Sequence, residues 1–186
     1  MRILGVDPGS RALGYGIIDF GGGTAGARLK AVAHGTLRPP AGEDLAVRLA
    51  ALQKGLLAVL KEYEPEAASV ESAFVAVNPR SALILGHARG VVLASLASVG
   101  LSVAEYTPSQ VKSAVAGTGR ADKKQVQSMV QVLLKLDRPP AQDAADALAA
   151  AICHAHGNRL AGMRGGRSRG RRRSGGASQL VVRRGR

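Results

Sequence analysis

Apolar residues crowd the stretch RILGVD (2–7), and an acid, Asp7, ends it just before Pro8-Gly9. Residues 2–7, 13–20 and 31–38 read as three strands separated by the glycine-rich turns GSRALG and GGGTAGAR. Tyr15, Ile17 and Ile18 supply β-favouring side chains to the second of these. Strands joined so closely are most simply antiparallel neighbours. From Asp44 to Tyr63 the period lengthens, with Leu45, Leu49, Leu52, Leu56, Val59 and Tyr63 on one helical stripe. AASVESAF (67–74) reads as a short buried strand, and Pro79 introduces a helix near 80–98. LSVAEYTP (101–108) is another strand, and helices follow near 109–116, 122–136 and 140–156. The order predicts an α/β fold, a mixed five-stranded sheet flanked by helices.

After His156 the composition changes. The 30 residues from Gly157 to Arg186 hold ten arginines and no acid, which leaves 16 basic against 13 acidic residues before them. The net charge of +13 is thus concentrated in the C-terminal segment, the preceding part carrying only +3. GGRSRGRRRSGG has too little apolar surface to form a core, so 157–186 is expected to be a disordered, basic tail behind a domain spanning 1–156. Its charge favours salt-sensitive attraction to phosphates; a merely solubilising extension would have the same composition. A single cysteine, Cys153, excludes an internal disulfide and suits a cytoplasmic protein. The N-terminus does not read as a secretion signal, and no stretch is expected to approach a membrane span.

Four carboxylates stand in apolar company. Asp7 ends a central-looking strand, and a lone buried carboxylate needs a compensating cation. Glu71 lies in SVESAF; Asp143 and Asp146, three residues apart, share one helix face just after Pro139-Pro140. Acids in a first helical turn more often serve as favourable capping charges, and Glu71 alone would fit an edge-strand surface. Two strand positions and one helix can nevertheless converge at one end of a sheet, with no run of basic residues nearby to neutralise them. Oxygen-only ligands of this kind select Mg²⁺ or Mn²⁺. Two such ions about 3.5–4 Å apart activate water and stabilise the leaving oxygen in phosphodiester cleavage.

At these residues the chain resembles the RuvC family of Holliday-junction resolvases. The likeness runs collinearly from residue 1 to about 156, through GVDPGSRALGYGII, VESAFVAVNPRSALILGHARGV, EYTPSQVKSAVAGTGRADKKQVQ and ADALAAAI. It implies an RNase H-like fold, a homodimer and Mg²⁺-dependent paired nicking of four-way DNA junctions in recombination and repair. It also implies 5′-phosphate and 3′-hydroxyl products and work beside the RuvA–RuvB branch-migration complex. The family's catalytic and metal-binding acids fall on Asp7, Glu71, Asp143 and Asp146. Phe74, which alone reads as core, matches an aromatic that stacks on a DNA base. Lys112 and Lys123 match basic positions near the DNA, and Arg120 and Lys124 extend that patch. Ala82, Gly86, Gly90 and Ala94 recur every fourth residue, fitting either a dimer seam, as the resemblance implies, or packing on the protein's own sheet.

Other signals carry less. CHAH (153–156) comes with no second ligand cluster, so zinc is rejected, and His154 and His156 read as lying at a fraying helix end. GTGRADKK lacks the residue order of a phosphate loop. An actin-like ATPase needs two lobes where about 156 residues leave room for one. A noncatalytic basic module has no use for the carboxylates. The runner-up is a nuclease of the same fold acting on other branched or RNA-containing substrates.

Overall fold

The computed structural model describes residues 1–23, 26–72 and 78–164. Its strands are β1 (Arg2–Asp7), β2 (Leu13–Gly23), β3 (Gly26–Leu37), β4 (Ala67–Glu71) and β5 (Val103–Tyr106). Its helices are α1 (Leu45–Tyr63), α2 (Pro79–Ser98), α3 (Pro108–Ala116), α4 (Lys123–Leu134) and α5 (Gln142–Arg164). The strands form one sheet in the order β3-β2-β1-β4-β5. The β1–β2 and β2–β3 pairs are antiparallel, and β1–β4 and β4–β5 are parallel, so the expected mixed sheet forms. The β2–β3 hairpin is longer than its glycines suggested. Backbone pairing continues to Gly23↔Gly26, because ladder hydrogen bonds need no side chain.

Alternation along β1 divides the interior. Ile3 faces a core shared with Ile18, Val111, Val130, Leu148 and Ile152, beneath α3, α4 and α5. Leu4 and Val6 face the other core, with Leu52, Leu56, Val92 and Leu96 of α1 and α2. Residues such as Ile3, Leu4, Leu148 and Ile152 have no exposed surface, and each such burial contributes roughly 1.5–3 kcal/mol.

The ends of the helices follow local chemistry. Thr107 and Gln110 form a capping box that starts α3 at Pro108, and Asp122 and Gln125 form another that starts α4. Asn78 accepts from the Ser81 N–H at the start of α2. Helix α5 continues to Arg164, past the expected change at His156. Neither His154 nor His156 frays: Tyr106 Oη lies 2.9 Å from His154 Nδ1, and His156 Nδ1 lies 3.2 Å from the Ala114 carbonyl oxygen. Contrary to the sequence expectation, α2 is long and apolar enough to cross a membrane by length and composition, with a mean hydropathy of 1.4. It packs on α1 instead, burying Ala88, Val92, Ser95 and Leu96.

Helix α5 approaches the sheet where side chains are missing. A Cβ on Gly5 would collide with the Ala147 carbonyl oxygen, and one on Gly14 with that of Asp143. Both obstacles are helix backbone and cannot rotate away. Gly14→Ala is therefore expected to destabilise the protein by about 2–3 kcal/mol or more, measured by denaturant unfolding. Gly21→Ala, with open space at its Cβ, should stay within about 0.5 kcal/mol of wild type.

Candidate active site

The two strand acids reach the same place for a reason visible in the pairing. Asp7 has the parity of Ile3 and Gly5, so it emerges on the α5 face at the C-terminal end of the central strand. Strand β4 runs parallel beside it with Val6 opposite Val70, which brings Glu71 level with Asp7 on that face. Asp143 lies in the first turn of α5, and Asp146 follows one turn later. Asp7, Glu71 and Asp146 line one cleft of about 290 Å³ together with Lys112 of α3 and Lys123 of α4. Asp143 stands at its flank, its carboxylate 3.5 Å from the Arg38 guanidinium.

This crowding sets the protonation. Burial, reinforced by the charges of Asp146, Glu71 and Asp143, pushes the Asp7 carboxyl from an ordinary 3.8 up to about 7, and Lys123 opposes the rise. Burial also raises Glu71, with Asp146 adding repulsion and Lys123 and Lys112 counteracting it. Asp146 is raised by burial, against a hydrogen bond from Gln142 and the charge of Lys123. The Gln142 amide donates to both Asp146 oxygens, at 3.1 and 3.2 Å, across one helical turn.

Of the remaining sequence-predicted residues, Arg120 and Lys124 are exposed around the α3–α4 connection and do not line the cleft. Phe74 lies outside the described residues. Sequence reasoning missed three supporting side chains. Arg38 reaches Asp143 across 105 positions of sequence. Gln142 orients Asp146, a link that helical i, i+4 spacing could have revealed. Arg89 of α2 donates to the Glu71 carbonyl oxygen at 2.7 Å and also pairs with Glu105, holding β4 and β5 at the cleft. Its signal was an arginine in the middle of an apolar helix.

Among the described residues, no three His, Cys, Asp or Glu side chains converge tightly enough to enclose an ion unaided. The expected four-acid ligand set is therefore not closed in this arrangement. The donor chemistry still fits Mg²⁺ or Mn²⁺. Magnesium keeps several waters and takes one or two carboxylates plus substrate phosphates, and a cation would relieve the repulsion that raises Asp7.

The family model described as Crossover junction endodeoxyribonuclease RuvC matches residues 3–154. The chain belongs to the RuvC family. RuvC of Halorhodospira halophila is 52% identical over 155 residues, covering 83% of this chain and 90% of that protein. RuvC of Burkholderia vietnamiensis is 48% identical over 186 residues, 100% of this chain and 98% of that one. Similarity to that RuvC thus extends through the arginine-rich segment, beyond the limit expected near residue 156. The structure of Thermus thermophilus RuvC in complex with Holliday junction substrate superposes with a TM-score of 0.79 at 33% identity, covering 87% of this chain and 96% of that one. The fold is RuvC-like, of the RNase H-like class, as the sequence motifs implied.

The raised carboxyls make a prediction for the cation-free protein. A group whose folded pKa exceeds its unfolded value stabilises the fold at low pH, and that contribution is lost as pH rises through the folded value. For Asp7 the loss spans about pH 4 to 7. Asp7→Asn should therefore raise the Tm at pH 8, with a much smaller gain at pH 5. Adding Mg²⁺ should stabilise wild type more than the variant. Equal Tm differences at both pH values would contradict this assignment.

Proposed function

We propose that this chain resolves four-way DNA junctions by paired, Mg²⁺-dependent phosphodiester hydrolysis, in recombination and DNA repair. One observation carries the reading: in a RuvC-family chain, Asp7, Glu71 and Asp146 share a cleft with Lys112 and Lys123. Asp7, Glu71, Asp143 and Asp146 are the residues that would hold the cation. When bound, Mg²⁺ supplies charge stabilisation to the reacting phosphate and favours ionisation of an attacking water. Lys112 and Lys123 draw the anionic backbone towards the carboxylates. Arg120 and Lys124 extend that attraction over the surface, and Phe74 stacks on a base at the branch point, worth roughly 1–3 kcal/mol. The water oxygen bonds to phosphorus as the bond to O3′ breaks. The leaving oxygen takes up a proton to give a 3′-hydroxyl, and the phosphate remains on the 5′ end.

Resolution requires two cuts, and α2 supports a twofold dimer that supplies them. Ala82, Gly86, Gly90 and Ala94 are all exposed in the single chain, as is Leu83 at 63%. Among the described residues nothing lies within 4 Å of a Cβ placed on Gly86 or Gly90, so this face is open to close approach by a second copy. A C2 pair presents one active site to each of two equivalent junction strands. The RuvA–RuvB branch-migration complex is the partner we assign alongside it. A cytoplasmic setting suits the buried, free Cys153.

The deciding experiment is cleavage of a labelled synthetic four-way junction with Mg²⁺, beside linear duplex and an RNA–DNA hybrid. Symmetric nicks confined to the junction are expected, abolished by Asp7→Asn while binding persists. Cutting of the hybrid instead would reassign the substrate; binding without cutting would remove the catalytic reading. For the dimer, Gly86→Arg should leave the fold intact and halve the mass in sedimentation. An unchanged mass would place the seam elsewhere.

A further inference from the structure

A second cavity, of about 520 Å³, opens between the β1–β2 turn and the β3–α1 connection. Arg11, Arg38 and Arg48 line it, with Glu43 as the one acid in its wall among the described residues. The proposed function makes no use of this cavity.

Its position relates it to the carboxylates. Arg48, one turn into α1, donates to the carbonyl and hydroxyl oxygens of Ser10, the hydroxyl at 3.2 Å. It thereby braces the turn that begins directly after Asp7. Arg38, one residue past β3, is 65% exposed and touches the Asp143 carboxylate through a single 3.5 Å contact. Arg11 is exposed and, among the described residues, has no hydrogen bond or ion pair. Three guanidiniums beside two carboxylates, Glu43 in the wall and Asp143 at Arg38, leave excess positive charge, and their planar forks match phosphate oxygens.

The sheet order gives the cavity a direction. Lys112, on the helix that leaves β5, lies on the β5 side of the carboxylates, whereas the arginines lie at the β1–β2 turn, just past β3 and on α1, on the other side. A DNA strand laid across the C-terminal ends of β1 and β4 would meet Lys112 first, then the acids, then the arginines. We propose that Arg11, Arg38 and Arg48 form a phosphate clamp that grips the cleaved strand at a backbone phosphate next to the scissile one, on the side opposite Lys112. The clamp rests on the reading that the carboxylate cleft cuts DNA. Its arginines are positioning residues, fixing the register of the strand over Asp7.

The test measures junction binding without divalent cation, so that its outcome is independent of cutting. Arg11→Gln removes no contact within the fold, and its Tm should match wild type. It should weaken junction binding roughly tenfold and lower the slope of log K against log salt by about 1. Arg38→Gln is the second variant, and Arg28→Gln, outside the cavity, controls for net charge. Junctions carrying one neutral methylphosphonate at successive positions beside the cut site supply the specific readout. One such substitution should weaken wild-type binding yet cost Arg11→Gln nothing further. If every substitution affects wild type and both variants equally, or if Arg28→Gln matches Arg11→Gln in affinity and salt slope, the clamp is overturned. Should wild type bind but fail to cut in Mg²⁺, the proposed function fails while the clamp is still judged by these binding data.

Discussion

The close seating of α5 on the sheet is the constraint on which the site depends. Helix backbone occupies the space that side chains on Gly5 and Gly14 would need, and Gly16 receives Leu148. Alanines continue the fit from the helix side, with Ala144, Ala145, Ala147, Ala149, Ala150 and Ala151 all buried. A conventional helix-on-sheet distance would hold Asp143 and Asp146 away from Asp7. Small residues on both surfaces bring a helix N-terminus and two strand ends into one electrostatic neighbourhood, and Asp7 there titrates near neutrality.

That neighbourhood is costly without a cation, because like charges meet where water is partly excluded. The protein offsets part of the cost with its own groups. Lys112 and Lys123 face the acids from α3 and α4, Gln142 donates to Asp146, and Arg38 flanks Asp143. Arg89 acts differently, binding the Glu71 carbonyl and so fixing the strand that carries the carboxylate. Such incomplete compensation leaves the carboxylates able to attract a divalent cation, since a fully neutralised cluster would have little affinity for one.

The two faces of the sheet divide the labour. The α3–α5 side carries the lysines and the helix acids; the α1–α2 side supplies a core built mainly of leucine and valine and leaves one face of α2 exposed. Arg89 spans the division, linking α2 to the end of β4. Whatever packs on α2 is therefore mechanically close to Glu71. Helix α2 also shows how composition can mislead: its apolar length is that of a membrane span, yet a charged side chain near its middle is tied into the cleft.

The sequence by itself determined which residues form strands and helices, because period and punctuation are local properties. It also marked Asp7, Glu71, Asp143 and Asp146 as acids in apolar company, and the collinear motifs carried the fold class. Tertiary structure decided what lies beyond a local pattern. The parallel pairing of β4 with β1, which leaves β1 between β2 and β4, arises from contacts 64 residues apart, as in Ile3↔Ala67, which no periodicity encodes. The Arg38–Asp143 contact and the grouping of Arg11, Arg38 and Arg48 likewise appear only once β3 and α1 fold beside the first turn. The sequence misjudged the glycine run, which extends the hairpin, and the histidines of α5, which are hydrogen-bonded to β5 and α3. In each case a backbone or side-chain partner distant in sequence outweighed the local preference.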